Sequence, residues 1–129
     1  MALPQVGGGY QNTDGNVNEP ILFIQGAPAT VSAAGTLTAA QILTNLVVCS
    51  GTPGTQTLPT VALLEASLVN SKVDAGFEVN FVNTAGTTLT VAAGTGWTIV
   101  GAATAATATS AAFRARKTGD GAWTLYRIA

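Results

Sequence analysis

The strongest constraint on the fold is a two-residue hydrophobic alternation that begins at Phe77. Phe77, Val79 and Phe81 alternate with the polar residues Glu78 and Asn80. Successive side chains of a β-strand point to opposite faces, so this pattern predicts a strand with one face in a core and the other toward solvent. A one-residue slip in pairing would turn both phenylalanines outward, so the pattern also fixes the register of the strand in its sheet.

The same strand-like character recurs to the end of the chain. Asp120 and Gly121 form a pair that favours a tight hairpin, because glycine accepts the positive φ that such a turn requires. Apolar and β-branched runs lie on both sides of this pair and also upstream of it. We therefore predict an antiparallel meander of about five strands, over residues 77–81, 88–91, 97–100, 111–116 and 123–128.

Two segments of the chain carry helical signals. Thr38 and Gln41 have the spacing of a capping box, which predicts a short helix ending near Asn45. Residues 58–68 form the best helical pattern, since apolar residues recur at helical spacing and Pro59 suits a helix entrance. The remaining apolar runs predict strands over residues 20–24, 29–32 and 46–50, and the Gly-Thr-Pro-Gly run at 51–54 predicts a break after the last one.

These elements together predict a mainly β fold. We expect an antiparallel β-meander, sandwich or barrel-like domain with one or two short helices and an extended N-terminal arm. Residues 1–19 are rich in Gly, Asn and Gln and have little to bury, so we assign them to the arm, either as a docking element or as a frayed terminus. Residues 20–129 then form a single β-rich domain.

Charge is scarce in this sequence and unevenly placed. Charged residues make up 9% of the chain and the net charge is −1, against about 25% charged residues in ordinary soluble domains. Residues 1–64 contain only Asp14 and Glu19 as charged side chains. Such a surface opposes self-association only weakly, which favours a protein that works inside an assembly over a free β domain. Because neither half is strongly basic, we expect no nucleic-acid partner.

Nothing in the sequence predicts a membrane or secretory segment. No apolar run approaches the length of about 20 residues that a bilayer-spanning helix needs. The first residues have neither a basic segment nor an apolar segment of the kind found in secretory signals. We therefore expect no membrane partner and synthesis in a cytoplasm.

The glycines of "AGTGWTIVG", residues 93–101, resemble a phosphate-binding loop at first sight. A dinucleotide-binding fingerprint requires a third glycine three residues after the second, and here Gly101 follows Gly96 by five. Gly96 and Gly101 do have the spacing of a P-loop, but Ala102 and Ala103 stand where lysine and a hydroxyl residue are needed. We therefore predict that this stretch is a turn that leads into a strand.

Other chemical sites are also not predicted. Asp14, Asn16 and Asn18 imitate the start of a calcium loop, but Glu19 and Gln25 replace its essential glycine and its bidentate glutamate. The sequence has no histidine, which removes the usual bases of cysteine and serine nucleophiles. We expect the one cysteine, in an apolar run, to be a small buried side chain. We expect no catalytic, cofactor-binding or metal-binding residues, and no enzyme.

Residues 57–129 resemble a module of tailed-bacteriophage virion proteins. In that module a short helix of the LPTAALL kind leads to a strand ending in VNT, followed by a Thr/Val strand, a GTG turn and a last strand ending in YR. The matching residues here are Leu58 to Thr60, Val82 to Thr84, Gly94 to Gly96, and Tyr126 with Arg127. These motifs are structural rather than catalytic.

The resemblance implies a place in a virion. Such modules are similar to small trimeric proteins that decorate or cement capsids, and also to parts of tail, fibre and baseplate proteins. We expect a homotrimeric decoration protein that binds the major capsid protein on the capsid surface and bridges its subunits. A tail, fibre or baseplate component is the alternative, and a carbohydrate-binding or enzymatic domain is a third possibility.

Candidate contact residues lie in the arm and in the last strands. Large aromatic residues could anchor an interface, although core packing would explain at least one tryptophan. The arginines of residues 111–116 could face an acidic patch on a partner or simply form a solvated strand face. The residues that we expect to make subunit or capsid contacts are Tyr10, Asn12, Asn16, Asn18, Trp97, Arg114, Arg116, Trp123 and Tyr126.

Overall fold

A computed structural model describes residues 24–129. Of these residues 52% lie in strands and 10% in helices, so the predicted mainly β fold is confirmed. In chain order the elements are β1 (Ala29–Thr36), α1 (Ala39–Ile42), β2 (Leu46–Thr57), α2 (Val61–Ser67), β3 (Gly76–Asn83), β4 (Leu89–Ala92), β5 (Trp97–Val100), β6 (Thr104–Ala105), β7 (Thr109–Gly119) and β8 (Ala122–Arg127).

The strands form one mixed sheet that curls into a half-barrel. Its order is β5-β8-β7-β3-β2-β4-β6, and β1 pairs with the other edge of β2. The predicted hairpin is confirmed, because β7 and β8 pair in antiparallel fashion around Asp120 and Gly121. Of the architectures expected, the barrel-like one is therefore the closest.

The pairing of the strands differs from a consecutive antiparallel meander. β3 and β4 follow each other in sequence but do not pair, and each lies parallel to β2 instead. β5 likewise lies parallel to β8 rather than antiparallel to a sequence neighbour. The physical reason is the length of β2, which offers its first residues to β3 and its last three to β4. The crossover through α2 returns the chain in the same direction, and this makes the β2–β3 pair parallel.

The predicted break at residues 51–54 is wrong, because β2 runs through it. Gly51 and Gly54 adopt positive φ angles of 62° and 52°. The register with β1 shifts around them, so the extra residues bulge out of β2 while the strand continues. Glycine tolerates this conformation at little cost, which is why a Gly-Pro-rich run can remain within a strand.

Both helices begin near the positions that their capping residues predict. α1 has the predicted capping box, in which Thr38 Oγ1 accepts from the Gln41 amide and the Gln41 side chain accepts from the Thr38 amide. α2 begins at Val61, three residues later than predicted, since Thr60 is its N-cap and Pro59 lies outside the helix. Asn45 has a φ of 67° and ends the turn that follows α1.

The core lies between the concave face of the sheet and the two helices. Phe81 and Phe113 meet edge to face, with their ring centroids 5.8 Å apart. Ile42 of α1 and Leu64 of α2 are 1% and 0% exposed and pack into the same cluster. Within residues 24–129, no helix is long and apolar enough to cross a membrane.

Candidate interaction surface

The glycines of residues 94–96 fit against the segment that enters α2. The amide of Val61 donates to the Thr95 carbonyl oxygen at 2.9 Å, and the Trp97 indole nitrogen donates to the Pro59 carbonyl oxygen at 2.8 Å. A Cβ on Gly94 would overlap the carbonyl oxygen of Leu58. The space that a bound phosphate would need on this side is therefore filled by the chain itself. As predicted, the stretch is a turn that leads into a strand.

Asn83, the middle residue of the VNT motif, holds two loops together. Its side chain is buried, and its amide nitrogen lies 2.8 Å from the Thr87 carbonyl oxygen and 3.0 Å from that of Ala105. Its Oδ1 accepts from the amide of Ala85 at 3.0 Å. The Asn83 side chain therefore bridges the Ala85 and Thr87 ends of the turn after β3 and also links that turn to β6.

Thr84, the last residue of the VNT motif, extends this attachment to β2. The amide and the hydroxyl of Thr84 both donate to the carbonyl oxygen of Cys49, at 2.8 and 2.9 Å.

Cys49 is 0% exposed, and burial raises the pKa of its thiol to about 11. The thiolate form is therefore rare at neutral pH, and the expected role of Cys49 as a buried hydrophobe agrees with its position.

The two tryptophans lie in the core of the protomer. Trp97 is 7% exposed and Trp123 is 1% exposed, and their rings lie 6.0 Å apart. The indole nitrogen of Trp123 contacts Glu65 Oε1 at 3.2 Å. Neither ring is presented on the surface of the protomer, so their position supports core packing for both.

A buried charge cluster that the sequence did not suggest locks α2 to the β7–β8 hairpin. Lys117 is 5% exposed, and its Nζ lies 3.4 Å from Glu65 Oε1 and 3.0 Å from the Ser71 carbonyl oxygen. The Gly121 amide, the Trp123 indole and the Lys117 ammonium, in that order of effect, hold the pKa of Glu65 below its ordinary value. One oxygen of the Glu65 carboxylate thus contacts all three donors. The role of this cluster is structural, because it links α2 to the hairpin.

The convex side of the sheet brings three of the expected contact residues together. Cross-strand pairing aligns Val100 of β5, Tyr126 of β8, Arg114 of β7 and Glu78 of β3 in one row. Strand alternation places this row on the face opposite the core, because Phe113 and the other inward residues occupy the intervening positions.

Two further residues widen this row. Arg116 lies two positions along β7 from Arg114, on the same face, and Ile128 lies two positions beyond Tyr126. Val100 and Ile128 are 48% and 56% exposed. We call the six residues Glu78, Val100, Arg114, Arg116, Tyr126 and Ile128 the outer face.

The charges of the outer face are only loosely satisfied. Arg114 and Glu78 form an ion pair at 2.9 Å, but both side chains are more than half exposed. Exposed pairs of this kind contribute less than about 1 kcal/mol. Arg116 Nε lies 3.6 Å from Asp74 Oδ1, while its Nη1 is shielded from solvent and has no hydrogen-bond partner. The Arg114 and Arg116 side chains are nevertheless 58% and 42% exposed, so the solvent-facing parts of their guanidinium groups can be reached by acceptors on another molecule.

Arg127, although adjacent to Tyr126, belongs to the inner side. Its Nη1 donates to the carbonyl oxygens of Ala102 and Thr104 at 3.0 and 2.7 Å. Its guanidinium lies 5.5 Å from the centroid of the Phe113 ring, a distance typical of cation–π contacts. Arg127 thus fastens the link between β5 and β6 to β8, and the YR motif splits between an outward tyrosine and an inward arginine.

Several residues discussed in the sequence analysis are not part of the outer face or of the two clusters described above. Tyr10, Asn12, Asn16, Asn18 and the calcium-like residues 14–19 lie outside the described residues. Among residues 24–129, no group of three or more acidic, cysteine or histidine residues could hold a metal ion. One shallow, open groove of about 450 Å³ lies at the end of β3 and β7, lined by Val82, Asn83, Thr84, Ala108, Thr109 and Ser110.

Comparisons with known proteins identify no relative. No protein-family model, no curated protein and no solved structure matches the chain.

Proposed function

We propose that this protein is a structural component of a tailed-phage virion that decorates the capsid. In this role it binds the outside of the shell as a homotrimer and bridges neighbouring major capsid subunits. The observation that carries the proposal is the outer face, on which Tyr126, Arg114 and Arg116 lie beside two exposed aliphatic residues. Tyrosine and arginine are among the side chains most enriched where proteins bind one another tightly.

The fold suits a cementing role for a physical reason. A protein that binds only the assembled shell stabilises it by mass action, and many copies acting together multiply weak contacts. Such a protein needs a rigid body with one adhesive face. The Glu65–Lys117 cluster and the Asn83 contacts link the elements of the body to one another, while Arg114 and Glu78 of the outer face stay more than half exposed.

Copy number in purified particles tests the capsid location. A decoration protein should be present in hundreds of copies per virion, whereas a tail, fibre or baseplate component should be present in a handful. Quantitative gel analysis against the major capsid protein measures this ratio. A low ratio would contradict decoration and support the tail alternative.

Binding to capsids that lack this protein tests the outer face. The double variant R114A/Y126A removes one guanidinium and one ring, and we expect its affinity to fall at least about tenfold, as for a typical interface anchor. The control is Leu63→Ser, which changes a 60% exposed apolar residue on α2, away from the outer face. Equal loss in both variants would show that the outer face is not the docking surface.

Deletion of residues 1–19 tests the proposed arm. We expect the truncated chain to remain a folded trimer and to bind capsids more weakly than the full chain. Unchanged binding would assign docking to the β domain alone.

A further inference from the structure

The outer edge of β1 is an open strand edge. Among residues 24–129, β1 pairs with β2 alone, so one row of its backbone amides and carbonyls has no strand partner. The strand is eight residues long, carries no charge and contains no proline. Natural proteins usually protect such edges with lysine, proline, bulges or short length. An unprotected edge of this length is a template for a further strand.

The bulges between β1 and β2 do not protect this edge. Between Val31 and Gly35, β1 advances regularly, whereas β2 accommodates extra residues around Gly51 and Gly54. The extra residues at both shifts therefore lie in β2, and β1 carries no inserted residue. Val31, on the core side of β1, is only half-buried and packs against the core. A strand added beside it would cover it.

The chain before β1 runs away from this edge. Ala29 pairs with Val47, and Gln25 Nε2 donates to the carbonyl oxygen of Thr44 at 2.8 Å. Gln25 therefore continues the line of β1 alongside the start of β2, and does not reverse to run back along β1. Ile24, the next residue toward the N-terminus, is fully exposed. It ends the apolar run Pro-Ile-Leu-Phe-Ile at residues 20–24, which precedes β1 in the sequence.

We propose that residues 20–24 of one copy add as a strand to the free edge of β1 in a second copy. The run is apolar and β-branched, and its proline stands first, where a strand tolerates the missing N–H. Five residues span about 17 Å, which fits within the eight residues of β1. The Gln25–Thr44 contact holds Gln25 beside the start of β2, so Gln25 does not lie along the free edge of its own β1.

This exchange specifies how the trimer of the proposed function is built, and it rests on that homo-oligomer. The donor run and the acceptor edge are different surfaces, so each copy gives one strand and receives one. Such a head-to-tail contact closes into a ring when the rotation between copies allows it, and in the proposed homotrimer three copies complete the ring. It also separates two roles in the N-terminal region: residues 20–24 join the copies, while residues 1–19 are left to contact the capsid.

Cysteine cross-linking of the full-length protein tests the exchange directly. Chains with Leu22→Cys and differently tagged chains with Thr30→Cys are co-expressed and treated with a short bismaleimide. We expect a cross-link between the two tags, because Thr30 is exposed on β1. The control replaces Thr30→Cys by Thr98→Cys, which is exposed on β5 and lies outside the proposed contact. Cys49 is buried and does not compete.

A second variant measures the consequence for assembly. We expect the double variant I21D/F23D to be monomeric by light scattering, with the buried tryptophan fluorescence of the folded domain retained, while the parent chain is trimeric. Three results would overturn the exchange. The first is an I21D/F23D variant that is still trimeric by light scattering. The others are an L22C/T30C variant that cross-links only within one chain, or cross-linking of Leu22→Cys to Thr98→Cys that equals its cross-linking to Thr30→Cys. None of these results bears on the virion copy number, so the exchange and the proposed function fail separately.

Discussion

Replacement of Asn83 by alanine tests how much the hydrogen bonds of its side chain, which link the turn after β3 to β6, stabilise the fold. The Asn83 side chain is 1% exposed, and its amide nitrogen lies within 3.1 Å of the carbonyl oxygens of Thr87, Ala105 and Ala106. Its oxygen accepts from a backbone amide in the turn after β3. Alanine removes every one of these contacts and supplies no replacement. The Ala106 oxygen still accepts from Thr109, but the Thr87 and Ala105 oxygens and the Ala85 amide lose their contact with Asn83.

The magnitude follows from the number of groups left unpaired. Each buried polar group without a partner costs about 1–3 kcal/mol. Water entering from the shallow groove beside Asn83 can rescue part of the set, so we take two groups as lost. The expected loss is then about 3 kcal/mol, or about a 100-fold change in the folding equilibrium. With a urea m-value of about 2 kcal/mol/M, the unfolding midpoint should fall by about 1.5 M.

Urea unfolding followed by tryptophan fluorescence measures this shift. The matched control is Asn80→Ala, on the same strand but on its outward side and only half-buried. We expect the control to stay within about 0.5 kcal/mol of the parent, as surface substitutions usually do. If Asn83→Ala also stayed within that range, Asn83 would not be the residue that fastens the turn to β6.

Three further predictions follow from the same structure. Gly94→Ala should prevent stable folding, since its Cβ would overlap backbone oxygens before α2, whereas Gly86→Ala, with open space around it, should not; yields of soluble folded protein compare them. Glu65 has a lower pKa in the folded protein than in the unfolded chain. Its ionised carboxylate therefore adds to the free energy of unfolding above the unfolded-state pKa, and this stabilisation is lost as the pH falls through the folded-state pKa. Urea midpoints between neutral and acidic pH should therefore depend less on pH in Glu65→Gln, and an unchanged dependence would contradict this. Cys49 should react with a thiol reagent at pH 8 only after unfolding, and rapid native labelling would contradict its burial.

The local elements of this fold could be predicted because their signals are local. The capping box of Thr38 and Gln41 acts within one turn, and the Asp-Gly pair specifies its own hairpin. The pairing of β4 with β2 could not be predicted, because it depends on two segments far apart in the sequence. The continuation of β2 through Gly51 and Gly54 also depends on β1, which holds the bulged strand in place.

The outer face was partly visible in the sequence. Alternation along β8 already placed Trp123 and Tyr126 on opposite sides, and alternation along β7 separated Arg114 from Phe113. The row that joins Val100 to Tyr126 could not be found in this way, because β5 pairs in parallel with β8 although β6 and β7 lie between them in the sequence. The contact between Glu65 and Lys117 could not be predicted from the sequence either, because the two residues meet only when α2 packs on the β7–β8 hairpin.

The motifs that carry the resemblance act almost entirely on the fold. Leu58 to Thr60 and Gly94 to Gly96 interlock at the start of α2, and Asn83 fastens a turn to β6. Of these motifs only Tyr126 reaches the outer face. A protein can therefore keep every motif and still change its partner by changing the other residues of that face. For this reason the motifs bear on the fold more than on the proposed capsid location or its tail alternative, and copy number in particles is the measurement that separates these two proposals.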